Sequence, residues 1–202
     1  MTQRKRKGPI AADELIAKRE EMLHNDPEYR AQVEAIDVAR RTRARQLWEA
    51  ERPIVDDLNA VGVKVGSVWD LVNTSEPYPA ALPVLIGHVE RGGYPDRVME
   101  SLGRALAVKP AVAYWERLRA LYLAAKTPGE EDGMAVALSA CATKAQYDDL
   151  VALLSVKHRG ESRIYFLRPI RRLGGDKGRA LLESLREDPI FGKEASALLG
   201  RP

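Results

Sequence analysis

From Tyr78 onward the apolar residues return every three or four positions. They run Leu82, Leu85, Ile86 and Val89, then Val98, Leu102, Ala105 and Leu106, then Ala111, Trp115, Leu118 and Tyr122. That spacing keeps them on one face of an α-helix and predicts three helices in succession. Pro79, Pro95 and Pro110 each stand where a first helical residue would fall, a place whose N–H has no intrahelical acceptor. Gly92-Gly93 separates the first two stretches and makes them an antiparallel pair. A pair hides only one stripe, so each needs a neighbour.

The pattern continues to the end of the chain. Thr127 to Gly133 reads as an acidic turn, and Met134 to Ala142 as a helix whose small residues let neighbours approach closely. Thr143 with Gln146 forms a capping box before Tyr147, Leu150, Val151 and Leu154. Arg163 to Leu173 carries Ile164, Leu167 and Ile170 on one stripe, interrupted by Pro169. Gly174-Gly175-Asp176 stops that helix and starts one with Leu181, Leu182 and Leu185, and Asp188-Pro189 opens the last, with Phe191, Ala195 and Leu198 inward. The result is about four helix pairs with a period of roughly 30 residues.

Upstream the pattern differs. Ala11 to His24 is amphipathic, and Asp26-Pro27 caps and starts a long helix whose row Tyr29, Val33, Ile36, Arg40, Ala44, Leu47, Glu51, Ile54 and Leu58 runs in steps of three and four. Arg40 and Glu51 interrupt that row, so the helix either docks only at its ends or pairs with a partner helix. Pro53 is expected to kink or divide it. After Gly62 come a short extended connector and a helix capped by Ser67 and Asp70. Three regions follow: a basic tail over 1–10 without apolar anchors, expected to be disordered; an N-terminal helical extension over 11–62; and a helical-repeat domain over 63–202.

Three features give the repeat a family likeness: Pro83 inside the first helix of the pair, the proline-initiated second helix with Glu100 to Ala107 (ESLGRALA), and the closing Asp188-Pro189-Ile190-Phe191-Gly192-Lys193-Glu194-Ala195. The last resembles the DPxxxxEA signature of short bacterial HEAT-like repeats. The resemblance covers Tyr78 to Pro202 and implies an all-α fold, a short right-handed α-solenoid of the HEAT-like kind preceded by the N-terminal extension. Some HEAT-like proteins, the bacterial alkylpurine DNA glycosylases, are enzymes that set tryptophans and an acidic residue on a concave face. Here Trp115 is followed one turn later by Arg119, where that pattern would want an acid.

Composition agrees with packed helices in a chain without long apolar runs: 45% hydrophobic, 30% charged and only 6% aromatic. No stretch reaches the length of a membrane span and no apolar segment follows the basic start, so a cytoplasmic location without membrane attachment is expected. The single cysteine, Cys141, reads as a small buried hydrophobe. His24, His88 and His158 stand far apart and outside any zinc frame, so neither a metal nor a cofactor is expected. Gly174 to Arg179 lacks the strand and the lysine-serine ending of a phosphate loop; two helix caps explain it.

A net charge of +3 permits nucleic-acid binding without demanding it. The basic clusters are Arg4, Lys5, Arg6 and Lys7 in the tail, Arg40, Arg41, Arg43 and Arg45 on the long helix, and Arg159, Arg163, Arg168, Arg171 and Arg172 near the end. Arg168 and Arg172 share a face opposite Leu167 and Ile170, which turns them outward as a site for an acidic peptide or phosphates, with Glu161, Asp176 and Glu183 as internal counter-charges. No catalytic set is visible. The sequence therefore points to a non-enzymatic protein-interaction module, with another protein as partner and self-association through the N-terminal helices as a second contact. The alternatives are a nucleic-acid-binding protein using the basic patches and a glycosylase relative.

Overall fold

The computed structural model describes residues 12–200. Among them every regular element is helical and no strand occurs, so the chain is all-α. Two compact units are present, Met1–Gln46 and Leu47–Pro202. The basic tail, Arg4 to Lys7 included, lies outside the described residues.

The first unit holds α1 (Ala12–Asn25) and the beginning of α2 (Pro27–Ala60). Asp26 joins them as the sequence indicates. Its carboxylate accepts from Tyr29 N at 3.0 Å, and its own N–H still reaches Met22 O at 2.9 Å. Arg30 closes the end of α1, with Nε and Nη2 each 2.7 Å from the carbonyls of Leu23 and His24. No residue of α1 is buried, and the buried residues of α2 are Glu51, Ile54 and Leu58, all in the second unit. The division thus falls inside α2, not at Gly62, because Ile54 and Leu58 join the core of the second unit. Pro53 does not divide α2, and its ring is exposed.

The second unit continues through α3 (Val68–Asn73), α4 (Ala81–Arg91), α5 (Asp96–Ala105), a 3-10 segment (Lys109–Tyr114), α6 (Trp115–Ala124) and α7 (Pro128–Cys141). A 3-10 turn (Lys144–Gln146), α8 (Tyr147–Leu154), a longer 3-10 segment (Lys157–Phe166), α9 (Leu167–Leu173), α10 (Gly175–Ser184) and α11 (Gly192–Leu199) follow. One core runs along the second unit, in which Leu82, Leu85, Leu102, Leu118, Tyr122, Leu138, Leu150, Phe166, Ile170 and Leu182 are enclosed together. Each helix packs on elements near it in the chain, α3 and α4 on α5, α5 on α7, α7 on the 3-10 segment and α9, and α9 on α10 and α11.

α7 is the most crowded of these, touched by α5, α6, α9 and two 3-10 segments. Its small residues permit that. Gly103 of α5 and Gly133 of α7 meet so closely that a Cβ on Gly103 would lie 2.3 Å from the Gly133 carbonyl carbon.

Several local expectations shift. Thr127 to Gly133 is no turn but the start of α7: Thr127 accepts from Glu130 N, and Glu130 and Glu131 fill the first turn, where the helix dipole favours acids. The helix expected from Pro110 is split into the Lys109–Tyr114 3-10 segment and α6, and the one expected over Arg163 to Leu173 is 3-10 up to Phe166. Asp188-Pro189 forms a turn before α11 rather than its first residues, with Asp188 Oδ1 accepting from the N–H groups of Ile190 and Phe191. The two capping boxes, at Ser67 with Asp70 and Thr143 with Gln146, are both formed.

Candidate functional site

Among the residues singled out by sequence, the last arginine cluster separates into an inward pair and an outward pair. Arg163 is 6% exposed. Its Nε donates to Gly160 O and its Nη1 to Leu154 O, both at 2.8 Å, and its guanidinium lies 4.9 Å from the Phe191 ring centroid. It therefore closes the C-terminal end of α8 and carries the turn before α11. Arg159 is likewise turned in: it donates to the carbonyls of Leu123 and Ala125 at the end of α6 and pairs with Glu131 at 3.4 Å. Neither guanidinium is part of an outward patch, because both complete helix ends that would otherwise be buried with bare carbonyls.

Arg168 and Arg172 are exposed, and Leu167 and Ile170 behind them are buried, as the helical spacing requires. Arg171 is half-buried with its Nε enclosed. The counter-charges also differ from expectation: Glu183 pairs with Arg186 at 2.5 Å and Glu131, not Glu161, holds Arg159.

Arg168 and Arg172 stand over a groove of about 610 Å³. Val136 and Ala140 of α7, Ile164 and Tyr165 of the 3-10 segment and Pro169 of α9 line it with apolar surface. Ser139 Oγ donates to Tyr165 O at 2.8 Å and ties the two walls together. Nothing in the charge pattern singles out Lys109, which arrives from the 3-10 segment before α6. Its Nζ donates to Ala140 O at 2.7 Å, at the C-terminal end of α7, where a cation meets the negative end of the helix dipole. Burial, and then the positive charge of Arg172, hold its ammonium below the ordinary lysine value. Glu194 of α11 is the one carboxylate in the lining, against three cations.

Arg172 also lines an adjoining cavity of about 430 Å³ with Lys144, Tyr147, Lys177 and the Gly174-Gly175 turn. Lys109, Arg168, Arg172, Lys144 and Lys177 thus border two cavities that share a residue. Crowding explains Gly174, where a Cβ would meet the Tyr147 ring at 2.3 Å, and nearby Gly178, where one would meet Ile170 O at 2.2 Å, whereas Gly175 has open space around it and a left-handed φ of 54°.

Elsewhere several polar groups are engaged internally. Trp115 is buried, its Nε1 donating to Asp149 Oδ2 at 2.8 Å. Tyr122, Ser162 and Glu131 form a hydrogen-bonded chain in which burial pushes the Tyr122 hydroxyl up to about 12. Cys141 is buried and its thiol is pushed up to about 11 by the same cause. Among the described residues no group of His, Cys, Asp and Glu is placed to hold a metal ion, and no helix is long and apolar enough to cross a membrane. Arg40, Arg41 and Arg43 are exposed on α2 in the first unit.

Comparison with known proteins returns no match: no family model, no curated protein and no solved structure is similar to this chain.

Proposed function

We propose that the second unit is a short HEAT-like right-handed α-solenoid that serves as a non-enzymatic protein-interaction module, and that the groove between α7 and α9 receives an acidic, partly apolar peptide segment of a partner. One observation carries this reading: an apolar floor bordered by Lys109, Arg168 and Arg172, with Glu194 as the only acid among the described lining residues. Apolar side chains of the segment enter the floor, and its carboxylates meet the two guanidiniums, which bind carboxylates through two parallel N–H donors. Helices that pack serially on their neighbours, as α5, α7 and α9 do, support the solenoid assignment.

Selection from a random peptide display library tests the proposal. Enriched peptides combine Asp or Glu with apolar residues, and Arg168→Glu with Arg172→Glu abolishes their binding while helical content is retained. Peptides without acids, or binding indifferent to the double substitution, would refute it.

A second reading, nucleic-acid binding, is favoured by the cations bordering the two adjoining cavities. It requires retention of a labelled oligonucleotide at low salt, falling steeply as salt rises. The glycosylase reading gains little. Its tryptophan is in the core, and the ring and carboxylate of the groove, Tyr165 and Glu194, share the space with three cations.

A further inference from the structure

The first unit poses a problem that the groove does not address. Among its described residues none is buried, and Leu15, Ile16 and Ile36 are 52%, 57% and 58% exposed. α1 does not fold back along α2 to cover them. An amphipathic helix gains its stability in water by hiding its apolar stripe, so the stripe of α2 around Ile36 calls for a cover.

The order of residues along α2 identifies the cover. Tyr29, Val33, Ile36, Arg40 and Arg43 follow one another in steps of four and three, the spacing of a coiled-coil seam, with Asp26 one step before them. Charge is split along the same stretch. Residues 26–37 hold four acids against one base, Arg30, whereas residues 38–46 hold four arginines and no acid. A parallel dimer would set Arg40 on Arg40, Arg43 on Arg43 and Asp26 on Asp26, repulsive at each of those layers. An antiparallel dimer with its axis between Glu34 and Ala35 places Val33 on Ile36, Tyr29 under Arg40 and Asp26 beside Arg43, each twice by symmetry. Every one of those pairs is favourable: an apolar layer, a cation over an aromatic face and an ion pair.

We infer that α2 associates with a second copy of this chain as an antiparallel coiled coil centred between Glu34 and Ala35. The seam arginines then act as the device that selects orientation and register, the part that a lone polar residue plays in coiled coils of fixed alignment. This pairing stands on the first unit alone and does not depend on what the groove holds.

Sedimentation equilibrium and oxidative cross-linking of the full chain test it. Wild type is expected at about twice the 22.4 kDa chain mass. Ile36→Asp is expected at the single-chain mass with unchanged circular dichroism in the second unit's thermal transition. Mixing a Tyr29→Cys chain with an Arg40→Cys chain and oxidising should yield a disulfide-linked pair, whereas neither variant cross-links with itself. A wild type that remains a single chain at the highest concentration reached would overturn the inference. So would an oligomer that Ile36→Asp leaves intact, or self-linking of either cysteine variant, which marks a parallel dimer.

Discussion

Replacing Gly103 by Ala puts a methyl group into the close crossing of α5 and α7. The new Cβ would lie 2.3 Å, 2.4 Å and 2.7 Å from the carbonyl carbon, Cα and oxygen of Gly133, short of ordinary contact by roughly an ångström. The obstacle is backbone, which cannot rotate aside, so α5 and α7 must separate and loosen the buried row Leu102, Ala105, Met134 and Leu138. Overpacking of this kind costs about 3 kcal/mol. The better helix propensity of Ala returns about 1 kcal/mol. The net loss of about 2 kcal/mol corresponds to a melting temperature lower by about 4 to 8 °C for a unit of this size. Gly133→Ala is the internal control: its Cβ meets Glu100 O at 3.1 Å and Gly103 Cα at 3.2 Å, which needs a shift of only a few tenths of an ångström. There the propensity gain and the packing cost nearly cancel, at about zero net. Thermal unfolding followed by circular dichroism compares the two. If Gly103→Ala melts with wild type, or no lower than Gly133→Ala, the close crossing is not what the glycines are for.

Two further outcomes follow from buried polar groups. Glu51 accepts from Ser67 Oγ at 2.9 Å and from Val68 N at 2.8 Å, so Glu51→Ala strips the start of α3 of its acceptor; a loss of about 2 kcal/mol in denaturant unfolding and faster amide exchange at Val68 are expected, and unchanged exchange would contradict the role. His88 is buried with Nε2 at 2.9 Å from Asp57 and Nδ1 at 2.6 Å from Tyr94, and burial lowers its pKa below 6.5 against the Asp57 hydrogen bond, with the Arg91 charge also lowering it. The folded chain therefore binds the proton less readily than the unfolded one, so this contribution is complete above pH 6.5 and is lost as pH falls below it. Urea midpoints measured down to about pH 5 should fall more steeply for wild type than for His88→Gln; parallel curves would refute the linkage.

Much of the helical content was legible because it depends on local chemistry. Asp26, Ser67, Thr127 and Thr143 satisfy N–H groups within three residues, and a cap needs no distant partner to be recognised. The stripe residues Leu82, Leu85, Leu102 and Leu118 are enclosed because helical spacing alone puts them on one side. The outward pair Arg168 and Arg172 was readable for the same reason. Boundaries were less so: 3-10 geometry at Lys109–Tyr114 and Lys157–Phe166 differs from α by one hydrogen-bond step, and packing decides which is adopted.

The amino-acid order by itself determined an all-helical chain, its caps, the faces its helices hide and the charge split along α2, all consequences of contacts within a few residues. Tertiary structure alone decided that Arg159 and Arg163 turn inward to bare helix ends, that Glu51 becomes the acceptor for α3, and that Lys109 joins Arg168 and Arg172 at one groove. Those outcomes join residues between 9 and 63 positions apart, and a long cationic or acidic side chain reads the same in sequence whether it reaches for water or for a distant carbonyl.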